Sequence, residues 1–244
     1  MSEIKLALCV AATEAFTVHP VVWNTYLVDR AIADNQTEID TVNLQILPYI
    51  SLGRQGDSSL GENAEETYLL TYDRGSKGGE SRLHALSSIG FGGHIDSDVT
   101  TNLINLVAEE ALRELKEELG YVPDTRMFYH AVTAAIMERR FIYEPDTDTG
   151  KVHLGLFISI PFEAPVDLST LTLEDGHISN VRWINGPAIT DAEISKFEPW
   201  SALILKQNQT PVETTQPTQS TEAIAEDEII HPAPILTEII SAAD

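Results

Sequence analysis

Between Gly90 and Gly120 the sequence runs GFGGHIDSDVTTNLINLVAEEALRELKEELG, a glycine-rich turn followed by an acidic amphipathic segment. No other stretch restricts the choice of fold as strongly. Arg113 to Gly120 reads as the end of a helix. At about 3.6 residues per turn, Glu110, Glu114 and Glu118 fall along one side, with Glu117 close by. Ile104, Ala108, Leu112, Leu115 and Leu119 mark the other side, which is apolar enough to bury. Gly120 supplies a helix stop. Carboxylates crowded at this spacing repel by roughly a few tenths of a kcal/mol per pair. Two arrangements accommodate them. One is a solvated outer face. The other is a divalent cation with hard oxygen ligands, Mg²⁺ first among them. The glycines upstream and Arg113 among the acids favour the cation.

Arg113-Glu114-Leu115-Lys116-Glu117-Glu118-Leu119-Gly120 resembles the second half of the Nudix box of the Nudix (MutT-like) hydrolases, which reads Arg-Glu-aliphatic-x-Glu-Glu-x-Gly-aliphatic. Every charged position matches, and Tyr121 stands at the final aliphatic place. The first half departs. With Gly93 as the box glycine, the gap to Arg113 is six residues longer than the pattern, and at the usual spacing the first glutamate falls on Asn105. Either the loop before the helix is lengthened or the helix starts earlier. Ile46-Leu47-Pro48-Tyr49, Tyr72-Asp73-Arg74-Gly75, Gly79-Glu80-Ser81-Arg82-Leu83 and the run from Ser88 to His94 resemble a variant Nudix group with a Gly-Gly-His turn. The resemblance runs from roughly Leu44 to Lys206.

The resemblance implies an α/β fold, a Nudix-like α/β/α sandwich with a mixed sheet. It implies water attack on phosphorus in a nucleoside diphosphate linked to another moiety, helped by Mg²⁺ or Mn²⁺. By position, Glu114, Glu117 and Glu118 would ligate the metal, together with a backbone carbonyl near Gly93. Arg113 would orient the carboxylates, and Arg113, Glu117 and Glu118 form the catalytic set. Glu174 is the first candidate for the general base, with Glu163 and Asp175 further candidates in the same later region. A Nudix-fold protein that binds or senses a nucleotide without cleaving it is the alternative, and an acidic scaffold outside the family is a third reading. Substrate identity is open: nucleoside sugars, dinucleotides, oxidised nucleotides and RNA caps all suit the chemistry.

Composition narrows the partners. The chain has 244 residues and a net charge of −23, which argues against nucleic-acid duplexes and anionic membranes. A nucleotide substrate is still compatible, because a bound cation reverses the local sign. The single cysteine, Cys9, excludes an internal disulfide framework, and no apolar run approaches the ~20 residues of a membrane span. A cytoplasmic protein is expected, with a homodimer as the assembly to test.

Three regions follow from the order of signals. Residues 1–43 form an extension packing on the domain, with a strand expected over Ile4 to Ala12 and a helix or irregular segment over Val21 to Ile32. Residues 44–206 form the catalytic domain. Residues 207–244 hold seven acids and neither lysine nor arginine, and are expected to be a disordered acidic tail. Within the domain, strands are expected at Leu44 to Leu52, Thr67 to Tyr72, Ser87 to Ile95, Phe128 to Ile136, Arg140 to Tyr143, Val152 to Pro161 and Val181 to Ile184. Pro48 suggests an edge or a bulge. Asp96 to Thr101 offers helix N-caps, and one or two helices close the domain over Asp191 to Lys206. Arg74, Lys77 and Arg82 form a small basic cluster, read either as a phosphate-binding patch or as ordinary surface cations. His94 is read either as a substrate contact or as a hydrogen bond within its loop. Phe91, Phe128, Tyr129, Phe141 and Tyr143 are core candidates able in principle to stack a base.

Overall fold

The computed structural model describes residues 6–20, 23, 25–29, 33–34, 43–77, 81–96, 102–147, 150–162, 168–174 and 176–209. The expected acidic tail beyond residue 209, Glu163 and Asp175 lie outside these residues. The strands are β1 (Leu6–Ala11), β2 (Tyr26–Asp29), β3 (Asn43–Gln55), β4 (Thr67–Arg74), β5 (Ser87–Ser88), β6 (Gly90–Phe91), β7 (Phe141–Ile142), β8 (His153–Pro161) and β9 (Ile178–Asn185). The helices are α1 (Ala12–Thr17), α2 (Leu103–Leu119), α3 (Thr125–Met137), α4 (Asp191–Ile194) and α5 (Pro199–Gln209).

All nine strands among the described residues join one mixed sheet organised on β3. β3 runs parallel to β8 from Gln45↔His153 to Gly53↔Pro161 and antiparallel to β1, β4 and β6. Its apolar residues alternate between two layers, as a period of two requires. Ile46, Ile50 and Leu52 pack with α2 and α3, whereas Tyr49 packs with α4 and α5. β4 divides the same way, Leu70 and Tyr72 against Leu69. The result is an α/β/α sandwich. Pro48 lies inside a central strand, not on an edge. It falls between the β1 partners of residues 43–45 and the β6 partners of Ile50 and Ser51, where its missing N–H breaks no pairing on that side.

α2 begins where the Asn102 side chain accepts the Asn105 N–H at 3.0 Å, one residue past the stretch expected to cap it. It ends on Gly120 in the left-handed region, φ 61°, whose N–H reaches back to Leu115 and Lys116. Its buried stripe centres on Val107, Ala108, Ala111, Leu115 and Leu119, with Ile104 and Leu112 flanking it half-buried. Each large apolar side chain buried here contributes about 1.5–3 kcal/mol.

Two expectations are corrected. Phe128 to Ile136 is not a strand but the body of α3, capped by Asp124 accepting the Met127 N–H at 2.9 Å. Aromatic and β-branched content pointed to a strand. The buried residues Phe128, Val132, Ala135 and Ile136 instead follow the helical period. Residues 26–29, within the expected helix or irregular segment, form β2 against β1. No helix among the described residues is long and apolar enough to cross a membrane.

Candidate active site

Arg113 gathers three acids of α2. Its Nε donates to Glu110 Oε2 at 3.2 Å, its Nη2 to Glu110 and Glu114, and its Nη1 to Glu117. A planar guanidinium can hold several carboxylates at once, which an ammonium cannot do with fixed geometry. The acids grade from core to solvent: the side chain of Glu110 is 3% exposed, that of Glu114 13% and that of Glu117 54%. Glu110, on the acidic face in the sequence, is the buried partner of Arg113. Its place three residues before Arg113 was the available signal.

Glu118 lies inward of this fan. The residue is half-buried, but Oε2 is sealed from solvent and has no hydrogen-bond partner among the described residues. Burial, and then the charge of Glu114, pushes its carboxyl up to about 8, with Arg74 only partly opposing. Burial also lifts Glu114 well above the usual carboxylate range, because Glu110 and Glu117 add to the effect against Arg113.

The diglycine bend closes onto these acids. A Cβ on Gly93 would stand 2.1 Å from Glu114 Oε1, and one on Gly92 would stand 1.9 Å from the Pro48 carbonyl oxygen. Only glycine lets the backbone approach this closely. An orphaned carboxylate oxygen, a second buried carboxylate and an adjoining backbone bend fit a hard divalent cation. Glu114 and Glu118 are the residues best placed to hold it. Glu117 is the most exposed of the three acids on Arg113 and pairs with its Nη1. Asn105, at the place of the first box glutamate, lies in the first turn of α2, and Glu110 is the buried acid that engages Arg113.

Beside the bend lies a cleft of about 510 Å³, lined by Arg74, Arg82, Gly93, His94 and Trp200 among others. Arg74, Arg82 and His94 therefore come together, while Lys77 does not line the cleft. Burial works against the charge of Arg74, but Tyr72, Glu198 and Glu118 outweigh it and hold the guanidinium firmly protonated. Glu174 approaches the acids from the loop before β9. Its backbone N–H donates to the Glu118 carbonyl at 3.1 Å, and its carboxylate lies 3.6 Å from His177 Nδ1.

Glu198 stands just before α5. It is a buried carboxylate at the cleft that accepts from Ser201 Oγ at 2.6 Å, from the Ser201 and Trp200 N–H groups at 3.0 and 3.1 Å, and from the Tyr49 hydroxyl. Three donors at the start of α5 and the Tyr49 hydroxyl of β3 satisfy it, so it anchors the helix against β3. None of the five aromatics considered for stacking lines the cleft; Phe91 and Phe128 are fully buried. The cleft aromatics are Tyr49 and Trp200, edge to face at 5.5 Å.

No protein-family model matches the sequence. Protein YmaB of Bacillus subtilis (strain 168) is 25% identical over 178 residues, 72% of this chain and 76% of that one. The crystal structure of Tm1382, a candidate Nudix hydrolase, matches with a TM-score of 0.50 over 83% of this chain and 100% of that chain, at 16% identity. The chain has the Nudix fold. A NUDIX hydrolase from Alicyclobacillus acidocaldarius covers 68% of this chain and 90% of its own, at 12% identity and a TM-score of 0.44. At 16% identity the likeness to Tm1382 carries topology alone. On the Nudix scaffold, α2 occupies one face of the sheet and the diglycine bend follows β6, so the box-like segment and the cleft meet at Gly93.

Proposed function

We propose that this protein is a metal-dependent hydrolase that cleaves the phosphoanhydride of a nucleoside diphosphate linked to another moiety. The observation that carries the reading is the buried, unpartnered Glu118 Oε2 next to Glu114. A carboxylate oxygen sealed from water without a donor, beside a second carboxylate held only by Arg113, is costly unless a cation joins them.

Glu114 and Glu118 would hold Mg²⁺ or Mn²⁺, with Glu117 and the backbone near Gly93 completing the set. The ion supplies charge neutralisation for the diphosphate and acidifies attacking water. Arg113 fixes the carboxylates. Arg74 and Arg82 bind phosphate oxygens from the cleft, the first preorganised by burial and the second from the rim. Trp200 offers an aromatic wall for a base. Glu174, within electrostatic reach of Glu118, would take the proton from water. His94 is assigned below.

A panel of nucleoside sugars, dinucleotides, oxidised nucleotides and capped RNA, incubated with Mg²⁺ or Mn²⁺ and separated by chromatography, tests the proposal. Metal-dependent release of a nucleoside monophosphate or diphosphate is expected from at least one class. Calorimetric binding with no product over hours would instead make the protein a nucleotide-binding member of the fold.

A further inference from the structure

His94 follows the diglycine bend, and His153 opens β8. Their Nε2 atoms lie 3.3 Å apart, with the rings inclined at 73°. A carboxylate oxygen of Asp34 joins them, and the three ligand atoms all lie within 4.8 Å of one another. Asp34 is exposed, His94 half-buried and His153 buried, and all three line the cleft. None belongs to the acidic set of α2.

Two imidazoles meeting tip to tip at Nε2 either share a proton or share a cation. A tetrahedral ion with bonds of about 2.0–2.1 Å to imidazole nitrogen sets two such nitrogens about 3.3 Å apart. The observed separation matches. A shared proton would account for the two nitrogens but not for the carboxylate oxygen within 4.8 Å of both. The carboxylate is also braced: the buried Gln45 donates from Nε2 to Asp34 Oδ1 at 2.8 Å, and Gln45 sits opposite His153 in the β3–β8 register. Such outer partners orient the ligands of metal sites.

We infer that Asp34, His94 and His153 form a second metal site, for a borderline divalent transition ion such as Zn²⁺. Two nitrogens and one oxygen favour such an ion over Mg²⁺, which takes oxygen ligands. Three protein ligands leave a position open to the cleft for water or for an anionic group of a bound molecule. The inference stands apart from the hydrolase reading, since its residues and its ion differ from those at Glu114 and Glu118.

The test uses the full metal-free chain, with excess Mg²⁺ to occupy oxygen-donor sites, titrated with Co²⁺ and followed by visible absorption. One equivalent should bind with the intense ligand-field bands of low-coordinate Co²⁺, and Zn²⁺ should displace it. The bands should persist in Glu118→Gln. Affinity should fall at least ~100-fold in His94→Ala and His153→Asn, more than the loss seen for outer partners. Asp34→Asn, which keeps an oxygen to accept from Gln45 but removes the charge, should also weaken it. Absence of the bands in the wild-type chain overturns the inference. So does their survival in both His94→Ala and Asp34→Asn, or their loss in Glu118→Gln alone.

Discussion

Gly93 and Glu114 touch across the gap between the diglycine bend and α2, with no room for a methyl group between them: a Cβ would meet Glu114 Oε1 at 2.1 Å. Gly93→Ala should displace that carboxylate while leaving the apolar face of α2 in place. We expect an unchanged fold by circular dichroism and Mg²⁺ affinity weakened ~10–100-fold by calorimetry, the scale seen when a metal ligand loses its support.

Arg113 neutralises the buried Glu110. Arg113→Ala leaves that carboxylate without its partner, which costs several kcal/mol in a fully buried pair. The Arg113 side chain is 43% exposed, so solvent screens part of the effect. A loss of about 1–3 kcal/mol is expected in urea unfolding. The double variant Arg113→Ala with Glu110→Gln should recover part of it, which a purely catalytic arginine would not predict.

Glu118 makes stability pH-dependent in the metal-free protein. Its folded carboxyl titrates at about 8 against an ordinary 4.5, so between those values the native state binds more protons than the unfolded chain. Stability therefore falls as pH rises through this window. Thermal melts without metal should decline from about pH 4.5 to about pH 8, and Glu118→Gln should flatten that decline. Added Mg²⁺ should raise the melting temperature more at the alkaline end, where the carboxylates are already ionised.

Legibility divided along physical lines. The acidic face, Arg113 and the Gly120 stop were readable because a helix repeats at fixed spacing and Gly120 takes the left-handed conformation. β3, β4 and β8 were readable from apolar runs. α3 was misread because its aromatic and β-branched content outweighed a helical stripe only four buried residues long. The pairing of His94 with His153 and Asp34 was not legible at all. It depends on the parallel register of β3 with β8 and on a contact between residues 59 apart. Trp200 at the cleft likewise needs α5 folded back against Tyr49.

Arg82 stands exposed at the rim of the cleft, whereas Arg74 is half-buried among Tyr72, Glu198 and Glu118. Arg82→Ala should raise KM ~10-fold with kcat nearly kept, as removal of uniform binding does. Arg74→Ala should lower kcat as well, because it also removes the cation facing Glu118. Steady-state kinetics on the best substrate of the panel separates the two.

Turnover by Glu118→Gln, beside the wild-type protein and at saturating Mg²⁺, bears most directly on the metal-dependent reaction. The substitution keeps the shape of the side chain and removes the charge at the unpartnered oxygen. A fall of at least ~100-fold in kcat is expected, the scale of losing one preorganised charge-stabilising group. Turnover equal to that of the wild-type protein would contradict the assignment of the α2 carboxylates to catalysis.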